Sequence, residues 1–377
     1  MNRQHLIFIL ILLLPAGTFA QGEVARFLTS ASQDVNKLTE LYMEPFGKGF
    51  GTAMNSGWYN TARAHKPMGF DVSIHSTLVT IPNDATSFDL DAYGWSVLLP
   101  GSSSVTPNIA GTGNGVPVGI KYGDDVQIND LYDMPKGVGF STVPLPMVQL
   151  GLGIVKNTDI TIRFFPELEL GDLGRIGMFG FGIKHDIKQW IPVVKKMPFD
   201  LSVQAAWSRL AGTYNSVEYY PTKIVNTDFE VVDPRLPSTD LEIESEYYRT
   251  QDLTLTSTAM NANLIVSKKI AVLTGFASIG YSQSTFNIGL NGDYLIPQYI
   301  PITDDAYDAN EDTNGDYIVT KLDADNKVKD PIDADISYSS INAAVGLRLN
   351  LGLLTLHGTY VYQDYSMINF GLGISFR

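Results

Sequence analysis

From residue 68 to its end, this chain keeps returning to one pattern in which apolar and polar residues alternate singly. Met68, Phe70, Val72, Ile74 and Leu78 fall in one phase, and Gly69, Asp71, Ser73, His75 and Thr77 in the other. The alternation returns through Val148 to Ile154, through Phe199 to Trp207 and through Ile341 to Leu351. It is cleanest at the end, where Ile368, Phe370, Leu372, Ile374 and Phe376 oppose Asn369, Gly371, Gly373 and Ser375. A period of two is what a β-strand with one apolar face produces. Repeated this often, it leaves two architectures: a soluble sandwich or a membrane barrel.

Three features favour the barrel. The alternating stretches are long enough to cross a bilayer, for which about 9–11 tilted residues suffice. Trp207, Tyr281, Tyr360, Tyr362 and Phe376 stand near strand ends, where interfacial girdles belong. Connections alternate between tight and long. Lys156-Asn157, Ser267-Lys268-Lys269 and Leu351-Gly352-Leu353 read as periplasmic turns, and Lys184–Lys196 as a short amphipathic link on that side. Long polar loops near 213–248 and 289–335 fall at the opposite ends. The expected fold is all-β: a transmembrane antiparallel barrel of about 12–14 strands over residues 67–377, with an N-terminal helical plug segment. Composition agrees, since 44% hydrophobic residues with a mean hydropathy of only +0.02 must be interleaved with polar ones.

The first residues read differently. Arg3 and His5 precede an apolar run from Leu6 to Leu14, followed by small residues up to Ala20. This describes a secretory signal peptide over residues 1–20, too short for a membrane anchor. The chain has no Cys, which removes thiol chemistry and thiolate metal sites, and its net charge of −14 excludes a nucleic-acid partner. Residues 21–66 form the plug segment. Phe27, Leu28, Ala31, Val35, Leu38, Leu41 and Tyr42 recur at helical spacing from Val24 to Tyr42, and Pro45 and Gly47 read as its stop. A small-residue stretch follows, in which Phe46, Phe50, Met54, Trp58 and Tyr59 supply the apolar face expected to plug the lumen and meet substrate.

Asn369-Phe370-Gly371-Leu372-Gly373-Ile374-Ser375-Phe376 resembles the terminal signal read by the barrel-assembly machinery, with Arg377 following where that signal usually ends. The layout of plug then barrel resembles the outer-membrane barrels of Bacteroidota and, more distantly, the FadL-like long-chain fatty-acid transporters. The stretch Gly180 to Pro192 with Pro198-Phe199-Asp200-Leu201 carries the same likeness. Asn55-Ser56-Gly57-Trp58 stands where many FadL-like plugs carry Asn-Pro-Ala. The resemblance implies an outer-membrane location and passage of small hydrophobic molecules. The rival expectation is a non-transporting accessory subunit of a larger outer-membrane complex.

Catalysis is not expected. His75 and His357 fall on the polar phase of their strands, as do Asp71, Arg163 and Arg348, and lumen lining accounts for all five. The two arginines are expected in the lumen, because a lipid-facing Arg costs about 2–4 kcal/mol; there they are expected to pair with Asp159 or another lumen carboxylate, the alternative being an anion-attracting field. The acid-rich stretch 304–335 contains Asp308 to Asp316, a loose likeness to a calcium loop, and reads as a solvated loop without a metal. Expected partners are therefore outer-membrane lipid, the assembly machinery, a hydrophobic small molecule and outer-membrane proteins, with no cofactor.

Overall fold

The computed structural model describes residues 33–122, 126–169, 175–214, 251–295, 298–301, 318–321 and 327–376. The expected signal peptide, the interiors of both long loops and the calcium-like stretch lie outside them. Ten of the described strands close into one barrel. In chain order they are β1 (Phe70–Thr80), β2 (Thr142–Gly153), β3 (Thr158–Glu169), β4 (Arg175–Asp186) and β5 (Asp200–Tyr214). The second half is β6 (Asp252–Ile270), β7 (Leu273–Asn291), β8 (Ile332–Leu351), β9 (Leu354–Tyr362) and β10 (Met367–Phe376). Each pairs antiparallel with its chain neighbours, and β1 closes on β10 with Phe70 opposite Phe376. Both ends of the barrel chain therefore lie at the same mouth, called near; the other is the far mouth.

The count corrects the expected 12–14. Residues between β1 and β2 do hold strands, but these pair among themselves. Residues 98–100, 117–122 and 126–133 form one small sheet, and 87–89 pairs with 105–107. The barrel closes without them.

Strands β6, β7 and β8 run 19–20 residues, about twice what a bilayer requires. Their alternation changes phase partway up. In β8, Ile341, Val345 and Leu347 point outward and are exposed, whereas Ile332, Ala334 and Ile336 point inward and are buried. In β7, Ile279 and Tyr281 face out while Phe286, Ile288 and Leu290 face in. The near half thus wears an apolar belt around a polar lumen, and the far half wears a polar skin around an apolar lumen. Ile74, Ile279, Ile341 and Leu372, at 63%, 58%, 71% and 49% exposure, belong to a belt too large to stand in water. Above it the barrel is built like a soluble one, with its apolar residues inside.

A helix fills that inside. α1 (Val35–Asn55) enters under the far mouth, descends the lumen and leaves through residues 56–66, which reach the near mouth and β1. It passes straight through Pro45 and Gly47, the expected stop. An interior Pro forfeits one hydrogen bond and costs about 3 kcal/mol, but the walls around the helix hold its course. Gly49 and Gly51 let the helix touch the wall: a Cβ at either would overlap Val143 of β2 or Ser284 of β7. The helix ends instead at Asn55, where Ser56 caps it and Gly57, with a φ of +72°, supplies the left-handed residue that follows helix ends.

Residues 81–122 and 126–141 cap the far mouth. Asp34, buried before the helix, accepts the backbone N–H groups of Ser96, Val97 and Leu98 at 2.9, 2.8 and 2.9 Å. Tyr42 donates its hydroxyl to the Lys136 carbonyl, and Asn36 accepts the N–H of Asp333 at the far end of β8.

Two local expectations shift. The turn expected at Ser267-Lys268-Lys269 lies at Ala271-Val272, because β6 continues to Ile270. Lys184 is not in a surface link but in β4, facing the lumen. Lys156-Asn157 holds as expected, both residues having positive φ (56° and 54°), the geometry of a two-residue hairpin turn.

Candidate functional site

The chemistry-bearing residues gather where α1 and residues 56–66 meet the wall. On the far side, Phe46 and Phe50 lie 4.6 Å apart by ring centroid and both contact Phe286 of β7, at 5.8 and 6.4 Å. Phe140 of the cap adds a fourth ring 5.6 Å from Phe46. Burying each Phe contributes about 1.5–3 kcal/mol. Met54 is fully buried one turn below. Trp58 and Tyr59 follow the helix and reach different strands of the wall. Trp58 backs against Gly182 of β4, whereas Tyr59 reaches Ser278 and Phe276 of β7.

Arg163 of β3 faces the lumen as expected, fully buried. Its guanidinium donates to the carbonyls of Met54 at 3.3 Å and Ser56 at 2.7 Å, and to Gln149 Oε1 at 2.9 and 3.2 Å. Its plane covers the Trp58 ring at 3.9 Å. The expected pairing with Asp159 does not occur. The unsatisfied carbonyls at a helix C-terminus carry partial negative charge, and they take the place of a carboxylate. Arg348 of β8 likewise finds an amide oxygen, donating to Asn60 Oδ1 at 2.7 Å and to Asn350 Oδ1 at 2.9 Å.

Asp159 fastens the segment's exit. It accepts the His65 N–H at 2.9 Å, lies 3.1 Å from His65 Nδ1, and forms an ion pair with Lys184 at 3.1 Å. Lys184 also donates to the carbonyls of Thr61 and Arg63, both at 3.2 Å. Ser267 and Ser202 bond the backbone of Ala62. His65 Nε2 is 3.4 Å from Ser375 Oγ. The order Ser-His-Asp is that of an acyl-transfer triad, but here the carboxylate is neutralised by Lys184 and the Ser375 N–H is spent on the Leu353 carbonyl. The cluster ties the plug to the wall.

His75 and His357 are both lumen-facing and adjacent, with Nδ1 of one 3.1 Å from Nε2 of the other and Ser73 Oγ 2.7 Å from His75. Asp71, four residues nearer the near mouth on β1, is also buried, its carboxyl in the space left by Gly151. Between the helix end and β8–β10 lies a cavity of about 20 Å³, lined in part by Asn55, Tyr59, Asn263, Asn342 and Gln363. It holds about one water. Three buried polar atoms around it, Ser56 Oγ, Thr359 Oγ1 and Gln363 Nε2, have no protein partner.

Sequence reasoning missed the fastening by His65 and Lys184. Its only signal was that Lys184 keeps the inward phase of Gly180 and Gly182, which the aromatic-rich link beyond it obscured.

A closed, helix-filled antiparallel barrel with an outward apolar belt is the architecture of the outer-membrane barrel class. Within it, the chain belongs to the family of unknown function DUF6588, whose model matches residues 1–376. No curated protein matches it. Solved structures with a similar layout include the translocator domain of the autotransporter NalP from Neisseria meningitidis, at 10% identity, 93% of this chain, 99% of that one and a TM-score of 0.28. The Pseudomonas putida toluene transporter TodX matches at 9% identity, 89% of this chain, 93% of that one and a TM-score of 0.22.

Proposed function

We propose that the protein resides in the outer membrane with its near mouth toward the periplasm, held closed by its own N-terminal segment. In this reading it admits small hydrophobic molecules when that segment shifts. The two-zone lumen carries the proposal. An apolar molecule that passed the cap at the far mouth would meet Phe46, Phe50 and Phe286, and so enter without desolvating a polar wall. Below, the hydrogen-bonded ties at Arg163, Asp159 and Arg348 are the ones a moving plug must exchange. The partnerless polar atoms around the small cavity mark the side with slack.

A second reading, an accessory subunit that conducts nothing, draws support from the cap of residues 81–122 and 126–141 and from the close fit of Gly49 and Gly51 against the wall. Purification in mild detergent separates the two. The transport reading expects an extractable apolar molecule held by the lone barrel; a stoichiometric protein partner and an empty barrel would favour the accessory role.

Orientation has its own test. Gln33 is exposed beside Asp34 and the cap, at the far mouth. A Gln33→Cys variant should react with an impermeant maleimide on intact cells. Labelling only after the outer membrane is broken would invert the topology.

A further inference from the structure

The ten strands carry few basic residues, and their placement is selective. Arg163, Lys184 and Arg348 face the lumen, while Lys268 and Lys269 lie at the near end of β6. Among the described residues of these ten strands, Arg175 of β4 and Arg209 of β5 are the basic side chains that face outward toward the far mouth. Arg209 stands one outward position above Trp207 and directly across from Phe179, at the upper edge of the apolar belt. Arg175 lies opposite Thr213, which puts the two arginines about 13 Å apart along the strands, within reach of one headgroup given the length of both side chains.

Between them the surface is concave. Gly177 and Ala211, paired across the strands, make a floor with almost no side chain. Glu167 rises beside it at the point where the β3–β4 register shifts, 3.8 Å from Arg175 and well exposed. Thr258 of β6 lies across from Arg209, and among the described residues Arg209 has no ion-pair partner. Elsewhere on the same polar skin the outward charges are acidic: Asp333 and Asp335, both bonded by Asn287. In a chain of net charge −14, a cationic trough confined to one sector and seated on the belt's edge needs a reason.

We infer that this trough binds the phosphorylated sugar headgroup of an outer-leaflet glycolipid. Arginine forks match phosphate oxygens bidentately. The carboxylate of Glu167 and the hydroxyl of Thr258 suit sugar hydroxyls, and Phe179 and Trp207 lie below, where the acyl chains begin. The inference rests on the outer-membrane reading above.

The test uses the full mature protein, refolded in detergent, and diphosphoryl lipid A as the probe, with retained lipid counted by native mass spectrometry. Wild type should retain about tenfold more of it than the Arg175→Gln/Arg209→Gln variant, each interfacial cation adding to the attraction. Wild type should also lose that factor for the dephosphorylated glycolipid, a comparison that needs no variant to fold. Equal retention by the variant, of the dephosphorylated lipid, or of phosphatidylglycerol would overturn the assignment. A wild-type protein that fails to enter lipid vesicles would refute the membrane reading itself; one that enters without preference refutes this site alone.

Discussion

Asp159→Asn is expected to release the near end of the plug and to cost on the order of 3–5 kcal/mol, the usual effect of stripping one partner from a buried ion pair. The substitution keeps the volume and still offers an oxygen to the His65 N–H. What it removes is the charge that neutralises Lys184. Both side chains are nearly sealed from solvent, at 9% and 4% exposure, so water replaces the lost partner poorly. The Thr61 and Arg63 carbonyls remain, but two neutral acceptors do not discharge an ammonium. The urea midpoint of the refolded protein should fall, and residues 60–66 should become open to protease. Adding Lys184→Met should restore much of the loss, because the pair is then replaced rather than broken. If the two changes add without coupling, the cluster is not the fastening.

The near half of the barrel was legible from residue types because its alternation is unbroken there. Leu372 out and Gly373 in, the inward phase of Asp71, His75, Arg163, Arg348 and His357, and the turn at Lys156-Asn157 all follow from a period of two and turn chemistry. The far half was not, because its apolar residues change phase. Ile332, Ala334 and Ile336 are separated from Ile341 by a polar interval, Ser337 to Ser340, which reads as a strand end when it is a change of solvent. Strand number suffered with it, as did the helix. Local propensity stops a helix at Pro45 and Gly47, and only the surrounding wall, invisible in one dimension, carries it on to Asn55. The phase of Arg163 is readable from its strand but its partners are not, since the carbonyls it needs exist only once the helix ends beside it.

Removing residues 33–64 should have the largest effect of all, turning a closed protein into an open pore. The segment supplies the rings at Phe46 and Phe50, the stack of Trp58 on Arg163 and the ties at Asn60 and Ala62. The wall that remains is a complete ten-strand cylinder with every edge paired. It therefore has no need of the plug to satisfy its backbone, and its near-half lumen is already polar enough to wet. Arg163 and Lys184, buried now, would then be hydrated by the pore rather than stranded.

The direct measurement is ion conductance in planar bilayers, made on the mature protein and on the deletion after both show the heat-modifiable mobility of a folded barrel. The full-length protein should sit closed, and the deletion should insert in discrete open steps. A deletion that folds and inserts but stays closed, or a full-length protein already open, would contradict the account that this helix is what fills the lumen.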